Sequence, residues 1–193
     1  MTEAEKMKKQ QWYDANFDED LVNQRLLAED LCYELNNIRP KDTDKRNEVL
    51  QKLLPQMEEN CTVLSPFLAD YGGYSKIGHD SFINHNAYLM DGGTITIGHH
   101  CFIGPNCGMY TAIHPTLANE RNQGLERALP IVIGDNCWIG ANVTILPGVT
   151  IGSNTIIGAG SVVTKDIPSD VIAAGNPCKV FRAITEKDSI EKI

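Results

Sequence analysis

The order of apolar and polar positions divides the chain into two parts. Up to about residue 60, apolar residues recur at helical spacing: Leu27, Leu31 and Leu35 lie four residues apart, which predicts one face of a helix. Pro40 is expected to close that helix. A further helix is predicted before Pro55, where apolar residues cluster over 49–54. Residues 1–60 contain no glycine, so we predict a helical N-terminal segment over 1–60.

From about residue 61 the pattern changes to a period of six. From Ile133 the sequence reads IGDNCW, IGANVT, ILPGVT, IGSNTI, IGAGSV, VTKDIP, and an earlier block from Ile77 contains IGHDSF and INHNAY, then IGHHCF and IGPNCG. The first and fifth places are aliphatic or small, so they are predicted to face inward. The third and fourth places hold turn-forming residues such as Asp135-Asn136.

A strand this short buries its apolar side only by stacking on copies of itself, which favours a parallel β-helix. With three sixes per turn, Ile133 is expected to lie beside Ile151 and Ile139 beside Ile157, about 4.8 Å apart. A conventional α/β sheet is the alternative, but it needs crossovers of about a dozen residues between parallel strands, and none fits between residues 133 and 168. We therefore predict a β-helix over 61–185 and a tail over 186–193.

The repeat breaks after Gly108. The segment MYTAIHPTLANERNQGLERALP, at about 109–130, exceeds one coil and is expected to project in part as a loop. Loops on a rigid scaffold commonly carry function. His114 lies near its start, and the residues alone allow either a hydrogen-bonded turn histidine or a general base, since histidine titrates near neutrality.

Charge and composition narrow the class of protein. Lys and Arg total 17 and Asp and Glu total 25, a formal charge of −8, which argues against binding to nucleic acid or an anionic membrane. No apolar run reaches 18 residues and the first residues lack an apolar signal segment, so a cytoplasmic location is expected. The six cysteines form no CxxC pair and are expected to be free thiols that hold no metal.

Taken together, the ordered motifs resemble the maltose and galactoside O-acetyltransferases, within the hexapeptide-repeat acyltransferases. The matching pieces span about residues 10 to 184 and are WYDANFDEDLVNQR, ADYGGYSKIG, MDGG, YTAIHP, NCWIGANVTILPGVTIG, IGAGSVVTKDIP and AAGNPCKVFRAI. The resemblance implies a left-handed β-helix, a homotrimer with active sites between subunits, and acetyl-CoA as the acetyl donor. The implied acceptor is a hydroxyl of a mono- or disaccharide, namely maltose, glucose or a galactoside. The resemblance also implies that no metal is required.

The resemblance also implies roles for particular residues. His114 would be the general base for direct attack of the sugar hydroxyl on the thioester in a ternary complex. Acceptor-binding positions are expected at Asp14, Arg25, Asp70, Asn84 and Asp91. Glu126 is expected either to contact the acceptor or to orient His114. Some relatives carry a second acidic residue where this chain has Gly92, which leaves the identity of the acceptor open.

Coenzyme A needs a groove for its pantetheine arm and cations for its phosphates. The positions that match the family's coenzyme contacts are Ala141, Ala159, Thr164, Lys165, Lys179 and Arg182. Trp138 is large in a repeat of small residues, and it either borders the thioester pocket or packs at a subunit contact.

Three other functions stay open at this point. The same architecture supports acetyl transfer to a non-sugar acceptor. It also supports a zinc γ-type carbonic anhydrase, and His79, His85 and His99 stand at outward turn places, with His79 and His99 expected to stack at one corner. A non-catalytic β-helix that only binds partners is the third.

A cysteine nucleophile is a further mechanistic option, but Cys101, Cys107 and Cys137 occupy the inward fifth place, where small core residues are expected.

Overall fold

The structure, a computed structural model, describes residues 1–190. The helices lie mainly before residue 54: α1 (Glu3–Lys8), α2 (Glu19–Asn37), α3 (Thr43–Leu53), α4 (Ala118–Arg121) and a 3-10 helix (Glu186–Asp188). None of the helices within 1–190 is long and apolar enough to cross a membrane.

Local sequence explains where the first helices begin. Thr2 and Glu5 form a capping box at α1, and the Asp18 side chain accepts a hydrogen bond from the Leu21 backbone N–H at the start of α2. The predicted face of α2 is partly wrong, because Leu27 is 66% exposed. Four-residue steps drift by about 40° around a helix, so Leu27 leaves the stripe that faces the β-helix.

The repeats build three flat faces. Face 1 consists of β2 (Gln56–Met57), β5 (Ser75–Ile77), β8 (Ile95–Ile97), β13 (Ile131–Ile133) and β16 (Thr150–Ile151). Face 2 consists of β3 (Thr62–Val63), β6 (Phe82–Ile83), β9 (Phe102–Ile103), β14 (Trp138–Ile139), β17 (Ile156–Ile157), β19 (Val171–Ala174) and β20 (Lys179–Ala183). Face 3 consists of β4 (Phe67–Ala69), β7 (Ala87–Met90), β10 (Gly108–Tyr110), β15 (Thr144–Ile145) and β18 (Val162–Val163). Neighbouring strands are parallel, except that β20 runs antiparallel to β19.

This arrangement confirms the predicted β-helix of hexapeptide repeats. Ile133 pairs with Ile151 and Ile139 pairs with Ile157, which is the expected offset of 18 residues. The inward residues of the faces form stacked apolar columns that make up the core. At the corners between faces, the residue at the fourth place of a hexapeptide adopts a left-handed backbone conformation. Asn136 is an example with φ 57°, a region that asparagine tolerates better than most residues.

The lower end of the β-helix is covered by α2 and α3. The side-chain amide of Asn36 donates to the Phe67 carbonyl and its carbonyl accepts from the Phe67 N–H, both at 2.9 Å. The amide thus replaces a neighbouring strand at the edge of face 3, which would otherwise expose unpaired backbone groups. Arg46, nearly buried, donates to the Val63 carbonyl and the Ser65 hydroxyl.

The segment at 109–130 leaves the repeat as an antiparallel hairpin. Strands β11 (Ala112–Ile113) and β12 (Leu125–Ala128) pair with each other, with α4 at the tip, and β1 (Tyr13–Asp14) adds to the free side of β12. The hairpin emerges at the corner between face 3 and face 1. The N-terminal segment and the projecting segment therefore share one small sheet, which the sequence pattern did not reveal.

Candidate active site

His114 follows β11 at the base of this hairpin. Its Nδ1 lies 3.0 Å from the Leu125 carbonyl oxygen of the paired strand, and its side chain is 48% exposed. A carbonyl oxygen only accepts hydrogen bonds, so in the neutral ring Nδ1 carries the proton and Nε2 does not. The hydrogen bond to the Leu125 carbonyl thereby holds the imidazole with an Nε2 that carries no proton in the neutral ring.

Glu126 stands beside that nitrogen. Its Oε2 lies 3.9 Å from His114 Nε2, and its Oε1 accepts a hydrogen bond from the Tyr13 hydroxyl. Tyr13 is fully buried and pairs with Glu126 across β1 and β12. Burial, together with the Glu126 carboxylate, raises the pKa of Tyr13, so the phenol stays a hydrogen-bond donor. The arrangement fixes a carboxylate next to the imidazole.

Asp14 lies opposite Leu125 in the same small sheet. Its Oδ1 accepts from the backbone N–H groups of Asn16 and Phe17 at 3.1 and 2.9 Å. The carboxylate therefore holds the turn that leads into α2. Asp14 is brought close to the His114 anchor, but part of its hydrogen-bonding capacity is already used.

Arg25 and Asp70 line a cavity of about 350 Å³ between α2 and face 3. Arg25 donates to the Tyr71 hydroxyl at 2.7 Å and to the Ala15 carbonyl at 2.6 Å, while the Tyr88 hydroxyl donates to Asp70. Burial raises the pKa of Asp70, and the Tyr88 hydrogen bond opposes that rise. The cavity wall thus presents a guanidinium, a carboxylate and a phenol.

Tyr71 links the cavity to the histidine. Burial raises the pKa of Tyr71 to about 12; the Arg25 charge opposes the rise, and the charges of Glu126 and Asp70 add to it. Tyr71 accepts from Arg25 of the cavity and packs against the apolar cluster that contains Tyr13, the partner of Glu126, so the cavity and the His114–Glu126 pair belong to one region.

Asp91 differs from the expectation. Its side chain is 0% exposed, and its two oxygens accept from the backbone N–H groups of Tyr71, Gly72 and Tyr74 and from the Ser75 hydroxyl. Burial raises its pKa, and these hydrogen bonds counter the rise. The carboxylate is enclosed by the turn that carries Tyr71, so it cannot touch an acceptor and instead positions the cavity wall.

Gly92 stands at the position where some relatives carry a second acidic residue, and the structure shows what surrounds it. A Cβ added at Gly92 would lie 3.1 Å from the Tyr13 hydroxyl and 3.4 Å from Glu126 Oε1. In this chain the Glu126 carboxylate therefore occupies the region that an acidic side chain at position 92 would reach.

A second groove runs along face 2 toward the corner with face 3. It measures about 480 Å³ and includes Asn84, Trp138, Ala141 and Ala159. Trp138 is largely exposed on the outer side of β14. A Cβ at Gly140 would lie 2.6 Å from the Ala159 backbone nitrogen, so glycine is needed for the coils to approach each other here. The groove is an apolar, small-residue surface suited to an extended chain.

The predicted phosphate-binding cations lie in the last coils and the strand that follows them. Thr164 and Lys165 are exposed at the corner between faces 3 and 1, and Lys179 is exposed on β20. Arg182 is held by Asp188 through hydrogen bonds of 2.9 and 2.6 Å, and this pairing lowers the pKa of Asp188 to about 2. A phosphate at Arg182 would have to displace that carboxylate.

The predicted residues thus fall into two groups within one chain. His114, Glu126 and Lys165 belong to the corner between faces 3 and 1, whereas Asn84 and Ala141 belong to the corner between faces 2 and 3. One side of a coil is about six residues long, which separates these corners by roughly 15–20 Å. A single thioester carbon cannot contact both.

Two alternative chemistries are not supported by the structure. Cys101, Cys107 and Cys137 are buried, and their thiols lie 3.1–3.2 Å from backbone carbonyl oxygens. Burial raises the pKa of Cys107, which disfavours a thiolate nucleophile. A hydrogen bond with Cys101 lowers the pKa of Cys137, but that thiol is enclosed in the core, where a thioester cannot reach it. The three histidines of the zinc alternative do not meet, because His85 lies at a different corner from His79 and His99.

Several residues around the site are not indicated by the sequence pattern. Tyr13, Tyr71 and Tyr88 supply hydroxyls around the two carboxylates, and the Leu125 carbonyl anchors His114. Tyr88 could have been predicted to face outward, since it stands at the sixth place of INHNAY. The strand pairing of Tyr13 and the backbone role of Leu125 leave no mark in a sequence pattern.

Comparison with known proteins agrees with this geometry. Residues 130–165 match the bacterial transferase hexapeptide (six repeats), residues 6–58 match the maltose acetyltransferase hexapeptide capping motif, and residues 94–114 match the hexapeptide repeat of succinyl-transferase. The fold and the motifs define a hexapeptide-repeat transferase.

Relatives that match almost the whole chain show which kind of hexapeptide-repeat transferase it is. The Staphylococcus aureus (strain Mu50) protein SAV2555 is 55% identical over 95% of this chain and 92% of its own length. The maltose O-acetyltransferase of Clostridium difficile 630 superposes with a TM-score of 0.93 at 43% identity, covering 96% of this chain and 99% of that one. A galactoside acetyltransferase, solved in complex with coenzyme A, gives a TM-score of 0.93 at 39% identity, covering 97% and 94%. This chain belongs to the maltose and galactoside O-acetyltransferase family, and it is an acetyltransferase of that type.

Proposed function

We propose that this protein transfers an acetyl group from acetyl-CoA to a hydroxyl of a mono- or disaccharide such as maltose, glucose or a galactoside. The observation that carries the proposal is the anchored imidazole of His114. Its Nδ1 is held by the Leu125 carbonyl, and its Nε2 is left as a base 3.9 Å from Glu126. The structural relatives named for maltose and galactoside acetylation support this assignment.

The chemistry needs a base because a sugar hydroxyl is a weak nucleophile. His114 Nε2 takes the hydroxyl proton as the oxygen attacks the thioester carbonyl carbon, and a C–O bond forms. The tetrahedral intermediate collapses with cleavage of the C–S bond. The imidazolium then returns the proton to the departing thiolate, which yields the acetyl ester and coenzyme A. This mechanism gives no role to a metal ion or to an acetylated cysteine.

Glu126 serves this step through charge. The carboxylate faces the nitrogen that becomes positive when the proton arrives, so it stabilises the imidazolium. The Tyr13 hydrogen bond holds Glu126 in that position. We assign Tyr13 as a positioning residue, because it touches Glu126 and is itself fully buried.

In this proposal the acceptor binds in the region between His114 and the cavity under α2. A sugar presents several hydroxyl groups that need directional partners. Arg25 supplies donors and Asp70 supplies acceptors there, and Asp14 lies beside the same hairpin. Asn84 lies at the other corner, where it joins the groove of face 2.

The coenzyme is assigned to the groove on face 2 and the terminal cations. Ala141, Ala159 and the exposed Trp138 offer a shallow apolar path for the pantetheine arm. Thr164, with Lys165, Lys179 and Arg182, supplies donors and positive charge for the phosphates in an otherwise acidic protein. The relative solved with coenzyme A supports this cofactor.

We further propose a homotrimer in the cytoplasm. The base and the pantetheine groove occupy different corners of one chain, so a neighbouring subunit would bring the second corner to the first. Light scattering that gives the mass of a monomer under assay conditions would argue against this arrangement.

A thiol-release assay with acetyl-CoA tests the function. The acceptor panel contains glucose, maltose, a galactoside, serine and chloramphenicol, so that sugar and non-sugar acceptors compete directly. We expect release that depends on a sugar and falls roughly 100-fold or more in His114→Ala. The matched control is His100→Ala, an exposed histidine at another corner, which should retain full turnover. Release with serine or chloramphenicol alone would refute the sugar assignment, and near-normal turnover of His114→Ala would refute the base.

A further inference from the structure

The corner between faces 1 and 2 carries a group of imidazoles and carboxylates that acetyl transfer does not use. His79 and His99 occupy the same turn place on adjacent coils, Glu58 lies one place earlier on the coil before them, and Asp80 and His100 adjoin this group. We name Glu58, His79 and His99 the corner triad. One potential ligand atom from each member lies within 4.8 Å of those of the other two.

The coil repeat itself creates this proximity. The rings of His79 and His99 stack with centroids 4.1 Å apart at an interplanar angle of 26°, and His100 meets His79 edge-on at 5.0 Å. Residues at equal places on adjacent coils are held one strand spacing apart. The regular coil backbone therefore already holds the imidazoles of His79 and His99 close to each other.

The polar atoms of the triad are incompletely satisfied. Glu58 Oε2 accepts from the His79 backbone N–H at 3.1 Å, which fixes the carboxylate over the next coil. The same oxygen lies 3.4 Å from His99 Nδ1, yet these atoms are not hydrogen-bonded. Among the residues the structure describes, His99 Nδ1 is shielded from solvent and has no hydrogen-bond partner. Such an atom is costly unless something else contacts it.

A neighbouring carboxylate orients the second imidazole. Asp80 Oδ2 lies 2.7 Å from His79 Nδ1, which leaves the other ring nitrogen as the acceptor in the neutral ring. A carboxylate that holds one nitrogen of a histidine while the other binds an ion is a common feature around metal ligands. Asp80 thus prepares His79 for coordination.

We propose that the corner triad binds a divalent transition-metal ion of the Zn²⁺ type, at a site separate from acetyl transfer. Two imidazoles and one carboxylate suit Zn²⁺ and leave a position for water. Tetrahedral ligands lie about 3.3 Å apart when metal–ligand distances are about 2.0–2.1 Å. The side chains are 38–54% exposed, so they have room to close that gap. The ion would join the first three coils, at the turns after β2, β5 and β8, and brace the N-terminal end of the β-helix.

Calorimetric titration of the whole protein with Zn²⁺, in a non-chelating buffer and without coenzyme A, tests the site. We expect saturable uptake of about one ion per chain and a rise in Tm with Zn²⁺. His99→Gln and Glu58→Gln should each abolish saturable uptake and the Tm rise. Asp80→Asn, which keeps the triad, should weaken binding roughly 10-fold or more.

Two matched controls make the test specific. His100→Gln removes an imidazole from the same corner but outside the triad, and Cys61→Ser removes a half-buried thiol that lies 3.2 Å from the Gly78 carbonyl oxygen. Both variants should bind Zn²⁺ like the unaltered protein. Unchanged uptake by His99→Gln, loss of uptake in either control, or the absence of saturable uptake in the unaltered protein would overturn the proposal. None of these readouts depends on acetyl transfer.

Discussion

Replacement of Glu126 by glutamine measures what its charge contributes to the proposed step. Glu126→Gln keeps the shape of the side chain and keeps an oxygen that can accept from Tyr13. It removes the negative charge 3.9 Å from His114 Nε2. If that charge stabilises the imidazolium formed during attack, kcat should fall while the KM for the sugar changes little.

The geometry sets the size of the effect. Two unit charges 3.9 Å apart interact by about 4 kcal/mol at an effective dielectric constant near 20, and by about 1 kcal/mol in bulk water. The His114 side chain is 48% exposed, whereas that of Glu126 is only 17% exposed. We therefore expect about 1–2 kcal/mol, which corresponds to a fall in kcat of roughly 10-fold.

Steady-state kinetics with acetyl-CoA and the best sugar of the panel gives kcat and KM separately. Tyr13→Phe is the companion variant, since it keeps the charge but releases the carboxylate, and its kcat should fall by less. A Glu126→Gln enzyme with unchanged kcat and a raised sugar KM would refute the charge argument. It would show instead that Glu126 contacts the acceptor.

Three further outcomes follow from the geometry. Asn36→Ala removes both hydrogen bonds to the Phe67 backbone, so denaturant unfolding should show a loss of about 1–3 kcal/mol. Gly140→Ala forces a methyl group against the next coil, and the free energy of unfolding should fall by about 1–3 kcal/mol. Asp188→Asn removes the negative charge that competes with a phosphate for Arg182, so the KM for acetyl-CoA should fall roughly two- to fivefold in steady-state assays.

Each of these has a matched control. Asn37→Ala alters a local hydrogen bond to the Tyr33 carbonyl in the same helix and should leave stability nearly unchanged. Gly73→Ala adds a Cβ whose nearest neighbour lies 3.9 Å away, so it should be tolerated. Glu186→Gln removes a negative charge two residues from Asp188 but keeps the Arg182–Asp188 pair, so its KM for acetyl-CoA should change less than that of Asp188→Asn. Equal effects in variant and control would contradict the corresponding argument.

The sequence alone determined the scaffold, because a period of six leaves a short strand only one way to bury its apolar side. The pairing of Ile133 with Ile151 follows from counting residues, and the stacking of His79 on His99 follows from the same count. The sequence also indicated which segment departs from the repeat. Family resemblance then pointed to His114 within it.

Only the tertiary structure decided how the side chains around the site are used. Asp91 was expected to bind the acceptor, yet four hydrogen bonds enclose its carboxylate under Tyr71. The Tyr13 hydroxyl reaches Glu126 across 113 residues because β1 pairs with β12. Such contacts join segments that are far apart in the chain, and no local periodicity encodes them. Hydrophobic repetition fixes a backbone, whereas the partners of a polar group depend on which distant segment the folded backbone brings beside it.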